Sequence, residues 1–175
     1  MILALSFEIL KYLLPAVVLY FTVRLMVQAY LKNEEKKREE SKNAGNSQTT
    51  LPLRLQAYER FILLLERITP AQAINRALQP GMTIYHFQLT LVQNIREEFE
   101  HNVAQQIYVS PSGWAMIKSA KEEIILLINT SAAETDAGAG AAELAKRLLE
   151  GWAKLDQNPA QTAIDQLKAE VRQIF

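Results

Sequence analysis

The N-terminal segment constrains the fold of this chain more than any other part of its sequence. Met1–Leu31 is largely apolar and contains only three charged residues, Glu8, Lys11 and Arg24. As a helix, residues 9–31 extend about 34 Å at 1.5 Å per residue, slightly more than a hydrocarbon core about 30 Å thick. The long side chains of Lys11 and Arg24 can reach toward the two interfaces. The pattern predicts a single transmembrane anchor in residues 1–31, with residues 9–31 in contact with the lipid bilayer.

Three other interpretations of this segment fit less well. A removable signal peptide has a basic start and a small-residue cleavage site, and neither feature is present here. A helix lying in the membrane interface needs a polar face, and the few polar residues of Tyr12–Val23 form no such stripe. A buried core helix is the third alternative.

The residues that flank the apolar segment predict its orientation. Within residues 32–38 the segment is followed by four basic residues, whereas Lys11 alone lies at its start; the four are Lys32, Lys36, Lys37 and Arg38. Cytoplasmic flanks of membrane helices are enriched in Lys and Arg, and acidic residues count little in this rule. We therefore expect a single-pass protein with its N-terminus outside and its C-terminal part in the cytoplasm.

The next segment, residues 32–50, predicts a connector. It is first rich in Lys and Glu, which indicates a charged helical stalk, and it ends in the polar linker Asn43–Thr50. A basic patch that binds anionic lipid is the alternative for the stalk, but the interspersed acids dilute its charge. The domain that follows is predicted to comprise residues 51–175.

From Leu51 onward, apolar residues recur at three- and four-residue steps, which predicts an all-α domain, a soluble bundle of about five helices. Proline follows a helix-capping residue at Thr69, Ser110 and Asn158. Gln72 is placed to complete a capping box with Thr69. The longer predicted helices are Leu53–Ile68, Thr83–Ile107, Ser110–Ala133, Ala142–Leu155 and Ala160–Ile174, and a short one begins at Pro70.

Charge and cysteine content exclude several classes of function. From Leu51 onward the chain has 12 basic and 14 acidic residues, and a nucleic-acid-binding domain would carry a basic surplus. The chain has no cysteine, which excludes disulfides, thiolate metal sites and a cysteine nucleophile. We therefore predict no nucleic-acid partner and no cofactor.

The search for catalytic motifs gives one weak candidate. Glu98 and His101 have the Glu-x-x-His spacing that places two metal ligands on one face of a helix. No second pair of this kind occurs, and two ligands are too few for a stable site. No serine lies in a nucleophile elbow, and the glycines of Asp136–Gly140 lack the Gly-Lys-Ser/Thr ending of a phosphate loop.

Two apolar runs exceed what one face of a helix needs. They are Phe61–Leu65 and Ile124–Ile128, and either central burial or a partner interface explains such a run. If the interface exists, Phe61, Leu65, Ile124 and Ile128 would carry it.

Aromatic residues at a predicted helix–helix corner are further partner-binding candidates. Tyr108 and Trp114 lie close together there, and such residues are frequent binding anchors but also frequent core residues with one exposed edge.

The sequences of two segments resemble those of a known family. LPLRLQAYERFILLLERITP (Leu51–Pro70) and IREEFEHNVAQQIYVSPSGW (Ile95–Trp114), behind an N-terminal apolar segment, are similar to an uncharacterised family of small, N-terminally membrane-anchored helical proteins from Bacteroidota-type bacteria. The resemblance implies a bacterial inner-membrane setting and a helical cytoplasmic domain. That family has no assigned activity, so it implies no functional residues.

Together these features predict a membrane-tethered, non-catalytic interaction or scaffold protein, or a subunit of a larger membrane assembly. Its partner would be another protein or a second copy of itself. Two alternatives remain at this point. One is a small metal-dependent enzyme built around Glu98 and His101, and the other is a carrier that holds a lipid or small molecule in the bundle core.

Overall fold

The computed structural model describes residues 2–136 and 138–174, and for residues 2–19 and 35–49 it describes the backbone alone. The described residues form seven helical segments and no strand: α1 (Ile2–Arg67), α2 (Pro70–Ala77), α3 (Ile84–Asn102), a 3-10 helix (Val103–Tyr108), α4 (Pro111–Ala133), α5 (Ala141–Ala153) and α6 (Pro159–Arg172). One isolated backbone bridge joins Thr83 to Gly140. The prediction of an all-α chain is confirmed.

The chain divides into two compact units, Met1–Thr50 and Leu51–Phe175. Helix α1 supplies residues to both units, and its backbone is helical through Asn43–Thr50, where the sequence predicted a linker. That segment contains no proline, the residue that opposes a helix most strongly. The side chains of residues 9–19 and 35–49, on which much of the anchor and stalk predictions depends, lie outside the described residues.

In the first unit, the described side chains belong to residues 20–34. All the large apolar side chains among them are half-exposed or more; they are Tyr20, Phe21, Val23, Leu25, Met26, Val27, Tyr30 and Leu31. Judged on the described residues, no helix has the length and apolar content that crossing a bilayer requires.

The second unit is a helical bundle around α4. Helix α4 packs against α3, α5 and α6, and α2 contacts α3 and α5. Residues 51–67 of α1 complete the bundle with a buried apolar face. The largest fully buried side chains are Phe61, Leu64, Leu65, Ile68, Phe87, Leu91, Ile95, Ile117, Ile124, Ile128, Leu144 and Leu148.

Side-chain caps explain where three of the helices begin. Thr83 Oγ1 accepts a hydrogen bond from the His86 N–H at 3.2 Å. Ser110 Oγ accepts one from the Gly113 N–H at 2.9 Å, and Asn158 Oδ1 accepts one from the Gln161 N–H at 3.1 Å. These bonds satisfy backbone donors that have no partner within the first helical turn.

The start of α2 differs from the prediction. Thr69 occupies the cap position, but its side chain accepts no capping hydrogen bond. The Thr69 hydroxyl instead donates to the Glu66 carbonyl at 2.7 Å, so it stabilises the end of α1. The predicted capping box with Gln72 is therefore wrong, because the preceding helix ends only two residues earlier and competes for the same hydroxyl.

The end of α3 also differs from the prediction. The sequence predicted one helix to Ile107, whereas the α-helix ends at Asn102 and a 3-10 helix follows. The buried Asn102 side chain donates through Nδ2 to the Glu98 carbonyl at 2.9 Å. An asparagine that bonds to the backbone in this way competes with the regular helical pattern.

Candidate functional site

Four of the six predicted partner-binding residues lie in the bundle core. Phe61, Leu65, Ile124 and Ile128 each have 0% of their surface exposed. The structure therefore does not offer these four side chains to a partner, but the middle of each run is exposed, by 52% at Leu63 and 65% at Leu126. Helix α4 has neighbours on more than one side, because it packs against α3, α5 and α6, so more than a narrow stripe of it is apolar.

Trp114 forms an aromatic cluster with two phenylalanines. Its ring lies 5.6 Å from the ring of Phe61 and is stacked at 5.2 Å on the ring of Phe99. The Lys121 ammonium lies 4.3 Å from the centre of the Phe99 ring, and the Lys118 ammonium lies 6.0 Å from the Trp114 ring. The half-buried Trp114 is thus a contact among α1, α3 and α4.

Tyr108, the other aromatic candidate, ends the 3-10 helix and is partly exposed. It takes part in none of the ring contacts of this cluster. Of the six candidates, Tyr108 and Trp114 alone retain some exposed surface.

The metal-ligand candidates, Glu98 and His101, line one polar cleft of about 320 Å³ together with Arg67, Arg76, Asn94 and Glu97. Glu98 Oε2 lies 3.3 Å from Arg67 Nε, so its carboxylate is already paired with a cation. Within the described part of the chain, no three His, Asp or Glu side chains gather closely enough to hold a metal ion. The six residues of the cleft are referred to below as the polar cleft.

A second polar cluster, absent from the sequence analysis, surrounds the carboxylate of Glu170 on α6. Tyr58 on α1 donates its hydroxyl to Oε2 at 3.0 Å. Ser110, the cap of α4, donates to Oε1 at 2.5 Å, and Gln166 donates to the same oxygen at 3.1 Å. The carboxylate thereby connects three helices, and we call these four residues the Glu170 cluster.

The hydrogen bonds of this cluster shift two pKa values in opposite directions. Burial by itself raises the pKa of Glu170, but the hydrogen bonds from Ser110, Gln166 and Tyr58 outweigh burial and hold that pKa below its ordinary value of 4.5. Burial, and then the hydrogen bond to Glu170, raise the pKa of Tyr58 above 10.0. Glu170 is therefore ionised and Tyr58 neutral at pH 7.

The chemistry of the Glu170 cluster suits a structural contact better than proton transfer. A general base needs a pKa near the working pH and a free acceptor site directed at the reacting proton. The Glu170 carboxylate has a lowered pKa and accepts hydrogen bonds on both oxygens. The Ser110 hydroxyl also accepts the capping hydrogen bond from Gly113, so it is held in place at the helix start.

A third feature is an apolar cleft of about 590 Å³ at the paired loops before α3 and α5. The Ala141 N–H donates to the Met82 carbonyl at 3.3 Å and holds these loops together. The cleft is lined by Leu78, Gln79, Pro80, Gly81, Met82, Gly140, Ala141 and Ala142. It lies outside the bundle core, in which the sequence analysis placed the pocket of a carrier.

Comparison with protein-family models matches residues 4–174 to DUF7935, described as a family of unknown function. The chain belongs to the DUF7935 family. The match includes residues of both compact units. No curated protein and no solved structure matches the chain. The prediction of an uncharacterised family is thus confirmed at that level.

In this DUF7935 protein, only some residues of the Glu170 cluster and of the polar cleft could be identified from the sequence. Ser110 was visible as a helix cap because proline follows it. Its partner Glu170 is 60 residues away, and Tyr58 is 112 residues from Glu170. In the polar cleft, Glu98 and His101 were visible as a spacing, whereas Arg67 and Arg76 join them only through the packing of α1 and α2 on α3.

Proposed function

We propose that this protein is a membrane-tethered, non-catalytic interaction or scaffold protein, anchored by its N-terminal helix in a bacterial inner membrane. Its helical bundle would lie in the cytoplasm and bind another membrane protein or a second copy of itself. Tethering raises the effective concentration of a domain near a membrane partner, so that weak contacts suffice.

The observation that carries the proposal is the exposed apolar surface of residues 20–31. All eight large apolar side chains of this segment are at least half-exposed, including residues next to one another along the helix such as Tyr20 and Phe21. A helix that exposes apolar groups in this way is unfavourable in water and favourable in lipid. Residues 9–19 extend the same apolar sequence in the N-terminal direction.

The charges support the proposed orientation. Arg24 and Lys32 lie toward the C-terminal end of the apolar segment, and Lys36, Lys37 and Arg38 follow. Basic residues beside a membrane helix favour the cytoplasmic side. The C-terminal bundle would therefore face the cytoplasm.

The anchor is tested with two matched pairs of substitutions in the full-length chain. The first variant carries Tyr20→Lys and Phe21→Lys, which place two charges near the centre of residues 9–31. The control carries Leu89→Lys and Leu126→Lys, which lie in the bundle. The replaced side chains of the two variants are similarly exposed: 61% and 54% for Tyr20 and Phe21, and 51% and 65% for Leu89 and Leu126. A lysine at the centre of a membrane helix costs about 3 kcal/mol.

The measurement is the fraction of protein left in the membrane pellet after an alkaline wash. We expect the wild type and the Leu89/Leu126 variant to remain in the pellet and the Tyr20/Phe21 variant to appear in the supernatant. Wild-type protein in the supernatant, or equal retention of both variants, would contradict the anchor.

Orientation has a simple test because the natural chain contains no cysteine. A single cysteine introduced by Ile107→Cys, at an exposed position of the 3-10 helix, is the only thiol in the protein. A membrane-impermeable maleimide should label it only after the cells are permeabilised. Labelling of intact cells would place the bundle outside and contradict the proposal.

The partner is sought with a photo-crosslinking residue at Leu126, an exposed position on α4, in native membranes. Reproducible capture of one other membrane protein would support the scaffold. Capture of a second copy alone would support self-association. If the crosslinked product, with another protein or with a second copy, is lost in a detergent-solubilised, folded sample, the interaction needs the membrane. Recovery of uncrosslinked monomer alone from several exposed positions would count against an interaction role.

A further inference from the structure

The polar cleft brings together charged side chains from three helices. Arg67 comes from the end of α1, Arg76 from the end of α2, and the remaining residues from the C-terminal half of α3. All six lining residues are polar or charged, so the cleft does not suit an apolar ligand. Its volume of about 320 Å³ is at the small end of the range for ligand pockets, roughly 300–1,000 Å³, which suits a small metabolite.

Two charges of opposite sign in this cleft form no ion pair with any residue that the structure describes. Arg67 is paired with Glu98, but within the described residues neither Arg76 nor Glu97 takes part in an ion pair. Arg76 donates one N–H to the Arg67 carbonyl at 2.7 Å, and Glu97 accepts a hydrogen bond from Gln93 at 2.8 Å. Both side chains are exposed, so their charges are available to a ligand.

The charges decide which ligand class fits. A metal ion or an organic cation alone would meet the two guanidinium groups, and an inorganic anion alone would meet the two carboxylates. A ligand with both charges can pair each of its ends with a group of opposite sign. A guanidinium group binds a carboxylate through two parallel hydrogen bonds, whereas a carboxylate accepts hydrogen bonds from an ammonium group.

We propose that the polar cleft is a binding site for a small zwitterion of the free amino acid class. The ligand's carboxylate binds Arg76, and its ammonium group binds Glu97. Asn94 and His101 line the cleft and supply further hydrogen-bonding groups. This site is independent of the membrane anchor and would exist whether or not the protein is a scaffold.

The two histidines of the chain provide the test. His101 lines the cleft, and His86 lies on the same helix outside it. The ring signals of both are followed by NMR in the full-length protein in detergent micelles during titration with glycine, acetate or methylammonium. We expect glycine to shift the His101 signals in a saturable way, acetate and methylammonium to bind at least tenfold more weakly, and His86 to stay unchanged.

Three single variants separate the two ends of the ligand. Arg76→Gln should weaken glycine and acetate binding by about tenfold, the usual effect of losing one charged hydrogen-bond pair. Glu97→Gln should weaken glycine and methylammonium binding but leave acetate binding unchanged. Arg147→Gln is the control for net charge, because it also removes one surface arginine but lies outside the cleft, 3.6 Å from Glu134. Unchanged tryptophan emission of each variant shows that it is folded.

Several results would overturn the proposal. One is the absence of a saturable His101 shift with glycine. Equal affinity for glycine and acetate would show an anion site instead, and an equal response of His86 would show a general solvent effect. A loss of glycine binding in Arg147→Gln as large as that in Arg76→Gln would show an effect of net charge and not of the cleft.

Discussion

At the scale of single residues, the carboxylate of Glu170 joins parts of the bundle that lie far apart in the sequence. Tyr58 and Ser110 donate to it from α1 and from the start of α4. Ser110 could be identified from the sequence because a helix cap is a local signal. The carboxylate could not, since no spacing rule relates residue 110 to residue 170 and one glutamate among many surface acids has no distinguishing pattern.

The stability of the fold should depend on the ionisation of Glu170. Its folded pKa lies below the ordinary value of 4.5, so the ionised form stabilises the bundle, fully above about pH 4.5, and this contribution is lost as the pH falls through the folded pKa. Glu170→Gln should lower the free energy of unfolding at pH 7 by about 1–3 kcal/mol. Urea unfolding at pH 7 and pH 3 measures the difference between the two proteins, which should narrow at pH 3. A difference that does not change with pH would assign Glu170 no electrostatic role.

Because Gly113 has no side chain, the Glu170 carboxylate can lie close to the start of α4. A Cβ atom at residue 113 would lie 2.9 Å from Glu170 Oε1 and 3.2 Å from a methyl group of Leu167. Gly113→Ala should therefore displace the carboxylate and destabilise the bundle by about 1–3 kcal/mol, despite the better helix propensity of alanine. The same substitution in a Glu170→Ala background should cost less, and chemical denaturation of the four proteins measures this coupling. If Gly113→Ala lowers the free energy of unfolding equally in both backgrounds, the Glu170 carboxylate is not the reason that residue 113 must be glycine.

At the scale of helices, starts were easier to predict than ends and faces. A helix start is a local event, and Ser110 and Asn158 cap their helices as the sequence indicated, whereas Thr69 does not. The end of α3 depends on Asn102, whose burial is a product of tertiary packing. The sequence did not decide whether the apolar runs are buried within the chain or in a partner interface. Apolarity predicts that Ile124 is buried, but not whether the residues that bury it belong to the same chain.

The two capping side chains Ser110 and Asn158 should differ in their effect on stability. Asn158→Ala removes one capping hydrogen bond and should cost about 1 kcal/mol. Ser110→Ala removes a cap and also the bond to Glu170, so we expect about 2–3 kcal/mol. The free energies of unfolding of the two variants give the comparison. Equal losses would show that the Ser110–Glu170 contact adds nothing to the cap.

At the scale of the whole molecule, the second unit has a hydrophobic core of its own. Among the side chains that the structure describes, the largest fully buried ones come from residues 61–148, within Leu51–Phe175. The sequence predicted a helical domain there from periodicity together with capping residues followed by proline. It could not predict the polar cleft, because a cleft between three helices depends on how the helices pack, and one-dimensional patterns do not contain that information.

A fragment of residues 51–175 should therefore fold by itself. We expect one cooperative thermal transition with an enthalpy of about 80–90 kcal/mol, from about 0.7 kcal/mol per residue. Scanning calorimetry of this fragment provides the measurement. Ile128→Asp, which places a charge at a fully buried position, should abolish the transition. A wild-type fragment without a transition would show that the core depends on residues before Leu51.

The placement of Trp114 among Phe61 and Phe99 has a spectroscopic consequence. The chain has only two tryptophans, Trp114 and Trp152, and both pack against the bundle core. Under excitation at the red edge of protein absorbance, where tyrosine contributes little, the emission of the whole chain comes from the bundle alone. The protein thus carries an intrinsic optical label on one of its two units, and the folding state of the bundle can be followed in micelles, vesicles or native membranes without any added dye.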